Sequence, residues 1–487
     1  MSKAKITINK SYETSEIDPR IYGSFIEHLG RAIYGGIYQP GHPSADEHGF
    51  REDVIELVRE LNVPLVRYPG GNFVSGYNWE DGVGPLEARP KRLDLAWGTI
   101  EPNTIGTNEF MLWAKKAGVE PMMAVNLGTR GADEARNLVE YCNRPSGTYF
   151  SDLRISHGAK EPHGIKLWCL GNEVDGNWQM GHKTAREYGR VALEAGKLMK
   201  WTDPTIELVA CGSSGYGMPT FAAWDAEVLE ETYETADYIS MHQYYGKNKM
   251  STPDFLAQTM DMEEYIRRTV AACDYVGAKK KSRKKINISF DEWNVWKTGV
   301  ENELLREIYT MEDAALVGSM LISLIRHSDR VKVACQAQLV NVIAPILTEK
   351  TETGAAIRQS IFYPYLHASL FGRGISLLTL VECDKYDGKQ YSAVPYIDAV
   401  AVKTDNGVSV FAVNRSDKEV TLEIKAENFE CAKNLTHTAM FDDDALACNT
   451  FENPERIKPK NIGAITMEDG LIKTTLKPVS WNVIQLG

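Results

Sequence analysis

The chain has 487 residues, 43% apolar and 25% charged, an average globular composition that excludes a disordered, collagen-like or fibrous protein. With 54 Lys plus Arg against 66 Asp plus Glu the net charge is −12, the wrong sign for a general binder of nucleic acid or of anionic membranes. No apolar run reaches the ~18 residues of a membrane span, and MSKAKITINK lacks the apolar core of a secretory signal, so the sequence points to a cytoplasmic protein with a neutral or cationic partner.

The first residues, AKITINKSYETSEID, alternate as a strand does. From about residue 20 the texture becomes a short apolar run, a polar loop and a longer amphipathic stretch, repeated. The apolar runs are RIYGSFIEH (20–28), PLVRYPGGN (64–72), PMMAVNLG (121–128), KLWCLGNE (166–173), IELVACG (206–212), YISMHQYY (238–245), INISFDEWN (286–294) and VACQAQLVN (333–341). Between them REDVIELVRELN, GADEARNLVEYCN, TAREYGRVALEAGKLMKW and MEDAALVGSMLISLIRHS carry apolar residues at three- and four-residue steps, the period of a helix. Eight such units predict a (β/α)₈ barrel over 17–372. The basic run KKKSRKK at 279–285 reads as a solvated helix end or loop.

Beyond residue 372 the pattern is SVFAVNRS, EVTLEIKA, LTHTAMF, LIKTTLK and SWNVIQL, separated by DNG, NRSDK and MEDG turns, which predicts an antiparallel β-sandwich. The N-terminal strand precedes the barrel and is free to cross over, so the second unit is expected to be 1–16 plus 373–487. The eight cysteines, Cys142, Cys169, Cys211, Cys273, Cys335, Cys383, Cys431 and Cys448, form no CxxC pair and read as free thiols in a reducing compartment.

Active sites of barrels are built at the C-terminal ends of the strands, and here those ends are polar. They carry Glu27 and His28, Arg67 with Gly70, Gly71 and Asn72, Asn172 and Glu173, His242 with Gln243 and Tyr244, Asp291, Glu292 and Asn294, and Gln338 with Asn341. Glu173 and Glu292, on strands four and seven, face each other across the bore, as a double-displacement glycosidase requires of its proton donor and nucleophile. A separation of about 5 Å is expected, since a retaining mechanism leaves no room for a water between nucleophile and sugar. Asn172 is placed to hold the sugar 2-hydroxyl, and His242 and Tyr244 to keep one carboxylate ionised. Asp291, adjacent to Glu292, is expected on the opposite face of the strand in an ion pair. Glu27 and Arg67 either contact substrate or brace each other. Trp79, Trp97, Trp178, Trp293 and Trp296 follow candidate strands, where stacking on sugar rings competes with core packing as their role. His28, His242 and the carboxylates have no metal-ligand spacing such as HExxH, so no metal is expected.

The segments GSFIEHLGRAIYGGIY, VRYPGGNFVSGYNWEDGVGP, WCLGNEVDGNWQMGH, SMHQYY, ISFDEWNVW and AQLVNVIAPI together resemble the bacterial α-L-arabinofuranosidases of glycoside hydrolase family 51. The resemblance implies that Glu173 is the general acid/base and Glu292 the nucleophile. It implies that Glu27, Asn72 and Asn172 hold the furanose hydroxyls, that His242, Tyr244 and Gln338 line the same pocket, and that Arg67 lies near the nucleophile. Trp178 and Trp296 join these as candidate substrate contacts. It further implies a C-terminal jelly roll completed by the N-terminal strand, no metal or organic cofactor, and a homohexamer. The expected activity is exo-acting, retaining removal of terminal α-L-arabinofuranosyl groups from oligosaccharides of arabinoxylan or arabinan. The alternatives are an endo-β-glucanase of the same family, which needs an open cleft, and a non-catalytic sugar-binding barrel. The loops at 80–107 and 296–312 carry no motif that assigns them.

Overall fold

The computed structural model describes residues 2–297, 304–429, 434–463, 465–468 and 471–487; Cys431, the end of the MEDG turn and part of the 296–312 loop lie outside them. Strand β1 is Ser2–Glu16. The next eight strands are β2 (Gly23–Phe25), β3 (Leu65–Tyr68), β4 (Glu120–Ala124), β5 (Leu167–Leu170), β6 (Glu207–Ala210), β7 (Tyr238–Tyr245), β8 (Asn287–Val295) and β9 (Val331–Ala337). They pair in chain order, all parallel, and close into a barrel where Cys335 of β9 meets Gly23 of β2. Each of the eight apolar runs contributes one strand.

Alternation along the strands sorts their side chains into two layers. Leu65, Met122, Ala124, Leu167, Cys169, Val209, Val333 and Cys335 fill the bore. Val66, Tyr68, Met123, Trp168, Leu170, Leu208, Ile239, Ile288 and Phe290 face the surrounding helices. The predicted helices form at Glu52–Glu60, Ala132–Asn143, Ala185–Thr202 and Met311–Arg326. The basic run lies where the helix Thr259–Lys280 ends, with Lys279 and Lys280 in its last turn, where cations meet the negative end of the helix dipole.

The C-terminal sheet contains β10 (Ile375–Cys383), β11 (Ile397–Thr404), β12 (Gly407–Asn414), β13 (Val420–Glu427), β14 (Leu435–Met440), β15 (Lys460–Asn461), β16 (Thr466–Glu468), β17 (Leu471–Leu476) and β18 (Ser480–Leu486). With β1 they make one ten-stranded sheet in the order β15-β14-β18-β12-β11-β10-β1-β13-β17-β16. The sheet curls over its own apolar face, bringing Ile6, Ile8, Leu377, Val410, Leu422, Ile424 and Ile484 into one cluster. Strand β1 pairs antiparallel with β10 and parallel with β13, so the N-terminal segment supplies the single parallel joint in an otherwise antiparallel sheet.

The helix Met311–Arg326 is sandwiched between barrel and sheet, which explains why its sequence is apolar nearly all round: residues 311–325 are buried. Gly318 is required there, because a Cβ on it would lie 2.4 Å from the ring of Trp481 in β18. The seven cysteines among the described residues are free thiols. No helix among them is long and apolar enough to cross a membrane.

Candidate active site

Strand β8 departs from simple alternation at the point that matters. With Ile288 and Phe290 facing the helices, period two would send Asp291 into the bore and Glu292 away from it. The ladder is bulged instead: between Ser289 and Glu292 strand β8 spends three residues where β7 spends two, and it does the same against β9 between Phe290 and Trp293. A bulge re-aims a side chain, and here Asp291 and Glu292 both face inward while Trp293 packs outside. The expectation that Asp291 lies on the opposite face from Glu292 is thereby corrected, while its ion pair is present, with Arg67 Nε 3.7 Å away.

Glu292 is held from two sides. Arg67 Nη1 donates to Oε1 at 2.7 Å, and the Tyr244 hydroxyl donates to Oε2 at 2.8 Å. The same guanidinium donates through Nη2 to Asn172 Oδ1 at 2.6 Å and lies 4.8 Å over the Phe25 ring. Arg67 therefore braces Glu292 and not Glu27. Asn172 Nδ2 is buried without a hydrogen-bond partner. A Cβ on Gly71 would lie 3.4 Å from that amide nitrogen, 3.4 Å from Glu27 Oε2 and only 2.9 Å from Glu292 Oε1. The second glycine of PGGN is thus the residue that lets the backbone pass this cluster.

Glu173 follows β5 through Gly171 and is itself in the left-handed region, at φ 44°, a conformation that is strained for a residue with a side chain. Its Oε1 contacts His242 Nδ1 at 2.9 Å and its Oε2 accepts the Trp178 indole N–H at 2.8 Å. His242 Nε2 lies 3.0 Å from Asp291 Oδ1, and its Nδ1 is 3.7 Å from Glu292 Oε2. Burial alone would pull the imidazole pKa down, but Glu292, Asp291 and Glu173 outweigh it and push it up to about 10. One oxygen of Glu173, one of Glu292 and a ring nitrogen of His242 all lie within 4.8 Å of one another.

Glu27 sits across the pocket, accepting the Phe73 backbone N–H at 2.9 Å and the Trp97 indole N–H at 3.1 Å through Oε1, and Gln338 Nε2–H at 3.3 Å through Oε2. Burial, opposed by the Phe73 hydrogen bond and reinforced by the charge of Glu292, pushes its carboxyl up to about 7. Glu27, Asn72, Glu173, Trp178, Tyr244, Glu292, Trp296 and Gln338 line one cavity of ≈ 400 Å³. Arg67, Asn172 and His242 form its buried underside. All eleven candidate residues thus come together. His28 does not join them; it is drawn aside to Glu101 and the Tyr68 hydroxyl, each at 2.8 Å.

The aromatics divide. Trp97, Trp178 and Trp296 line the cavity, the last two 53% and 42% exposed, whereas Trp79 and Trp293 are core residues. Trp97 reaches the site from the hairpin of Arg92–Asp94 and Thr99–Glu101, inside the unassigned 80–107 loop. Leu29, Ser214, Leu305 and Ile343 also line the cavity and were not singled out from the sequence. Only Trp97 gave a sequence signal, as an aromatic following a strand.

Residues 57–267 match the family described as alpha-L-arabinofuranosidase 1 domain, and residues 291–480 match the alpha-L-arabinofuranosidase C-terminal domain. The chain is 58% identical to an intracellular exo-α-(1→5)-L-arabinofuranosidase of Halalkalibacterium halodurans, over 99% of each chain. It is 55% identical to intracellular exo-α-(1→5)-L-arabinofuranosidase 1 of Bacillus subtilis, over 100% of this chain and 99% of the relative. Among solved structures, a family 51 α-L-arabinofuranosidase from Bifidobacterium longum superposes with a TM-score of 0.95 at 42% identity, covering 100% of both chains.

Proposed function

The chain belongs to the α-L-arabinofuranosidases of glycoside hydrolase family 51, and from that premise we propose that it removes terminal α-L-arabinofuranosyl groups by double displacement, with Glu292 as nucleophile and Glu173 as acid/base. The observation that supports double displacement is that one oxygen of Glu173 and one of Glu292 lie within 4.8 Å of each other, the close spacing of a retaining pair; the roles are supported by the clamp of Arg67 and Tyr244 on Glu292 and by the Trp178 and His242 contacts of Glu173.

In the first step a Glu292 oxygen bonds to the anomeric carbon as the glycosidic C–O bond breaks, and the Glu173 proton passes to the leaving oxygen. In the second, Glu173 takes a proton from water, whose oxygen displaces Glu292. Arg67 and Tyr244 aim the nucleophile through hydrogen bonds to its two oxygens. The unpartnered Asn172 Nδ2–H and the carboxyl of Glu27 are the groups left to bind ring hydroxyls. A cavity of ≈ 400 Å³ at the mouth of the barrel supports a pocket for a terminal sugar, and the exo-acting relatives favour that reading over the endo-β-glucanase alternative.

The names of the relatives at 52–58% identity support the (1→5) linkage and an intracellular location; we propose oligosaccharides derived from arabinan or arabinoxylan as the substrates. We also propose a homohexamer; the exposed Leu93, Leu95 and Ile100 of the Trp97 hairpin support self-association, and light scattering tests it. The division into 17–372 and 1–16 with 373–487 is supported by the pairing of β1. Hydrolysis of 4-nitrophenyl α-L-arabinofuranoside with none of carboxymethyl-cellulose is the expected assay result; the reverse would sink the reading.

A further inference from the structure

One buried carboxylate at the site has no part in the scheme above. Asp291 is 1% exposed. The bulge in β8 that turns Glu292 inward leaves Asp291 beneath it in the bore, with His242 Nε2 at 3.0 Å, Arg67 Nε at 3.7 Å and Cys169 Sγ at 3.6 Å. His242 contacts Glu173 and Arg67 contacts Glu292. One side chain therefore touches both residues that hold the two reacting carboxylates. We infer that Asp291 is a positioning residue of the reaction: it fixes the His242 ring with Nδ1–H aimed at Glu173, and it anchors the guanidinium that aims Glu292.

The chemistry follows from donor and acceptor counts. Asp291 is held ionised below the ordinary carboxylate range, because Arg67 and His242 outweigh the burial that opposes it. An ionised carboxylate only accepts, so His242 Nε2 must donate; with Nδ1 also facing carboxylates, the ring carries both protons. A ring that only donates favours Glu173 as the carboxylate, the form it holds in the glycosyl-enzyme before it activates water. The titratable groups facing His242 are Glu173, Asp175, Asp291 and Glu292; those facing Asp291 are Arg67, His242 and the neutral thiols of Cys169, Cys211 and Cys335. If Asp291 is made neutral, one of the charges that hold the second proton on His242 is lost and the imidazole pKa falls toward the working pH range. Its Nδ1 then becomes an acceptor that holds Glu173 protonated, and the second chemical step slows.

This inference rests on the roles proposed for Glu173 and Glu292. The test is Asp291→Asn, which keeps the shape and removes the charge. With 4-nitrophenyl α-L-arabinofuranoside, kcat is expected to fall roughly 10²-fold, KM to fall with it as glycosyl-enzyme accumulates, and kcat to recover as the pH is lowered through the new His242 titration. ¹⁵N-histidine NMR is expected to show both ring nitrogens of His242 protonated at pH 7 in the parent protein and a titration near neutrality in the variant. Equal losses in kcat and kcat/KM with an unmoved pH profile would overturn the inference. So would a His242 that is neutral at pH 7 in the parent, a measurement that stands even if the variant fails to fold. The titration involves no turnover, so a failed role for Glu173 in kinetics and a failed Asp291–His242 pair are told apart.

Discussion

The surroundings of the two glutamates differ in kind. Glu292 lies within a bulged strand, 8% exposed at its side chain, clamped by a buried guanidinium and a half-buried phenol. Glu173 lies past the end of its strand on a left-handed residue, 12% exposed, held by His242 and by the indole of a half-exposed tryptophan. A nucleophile must stay ionised and immobile, whereas an acid/base must exchange protons with the leaving group and with water. The contrast in support matches that contrast in duty.

The strongest way to break the comparison is Glu292→Ala, expected to lower turnover of every arabinofuranoside by more than about 10⁴-fold, since no covalent intermediate forms. Glu173→Ala is expected to cost about 10²–10⁴-fold on alkyl arabinofuranosides and much less in the first step with activated aryl leaving groups; a uniform loss in steady-state and burst kinetics would erase the distinction between the residues. Arg67→Lys keeps the charge but cannot serve Glu292 and Asn172 together, and kcat is expected to drop roughly 10²-fold while the melting temperature changes little.

A fourth prediction concerns stability. Glu27 has a folded pKa of about 7 against an ordinary 4.5, so the folded state binds the proton more tightly. Its contribution is therefore present below about pH 4.5 and lost as the pH rises to about 7, a change on the order of 3 kcal/mol. Glu27→Gln should flatten that part of the pH dependence in thermal melts; an unchanged slope would contradict the assignment. The smallest effect is expected from Trp178→Phe, which removes only the indole N–H on Glu173 Oε2: a loss of about threefold to tenfold in kcat, with little effect on substrates whose leaving group needs no proton.

The barrel and the convergence of its strand ends were legible because parallel strands announce themselves as apolar runs and their polar termini stand out against them. Glu173 and Glu292 were legible for the same reason, and the family motifs named their partners. The bulge at Asp291 was not, because alternation is a local rule and the extra residue is set by how β8 registers against both neighbours. Strand ends alone left Arg67 between Glu27 and Glu292, and it was the family resemblance that set it near the nucleophile. Leu29, Leu305 and Ile343 reach the cavity from segments whose paths depend on tertiary packing, so spacing alone carried no signal for them.

The division of labour between Glu173 and Glu292 is tested most directly by azide rescue of the two alanine variants, with the anomeric configuration of the azide read by proton NMR. Azide attacking the stalled arabinosyl-enzyme of Glu173→Ala is expected to give the retained α-azide. Azide filling the space vacated in Glu292→Ala is expected to give the inverted β-azide in a single displacement. The β-azide from Glu173→Ala together with the α-azide from Glu292→Ala would exchange the two roles and contradict the assignment.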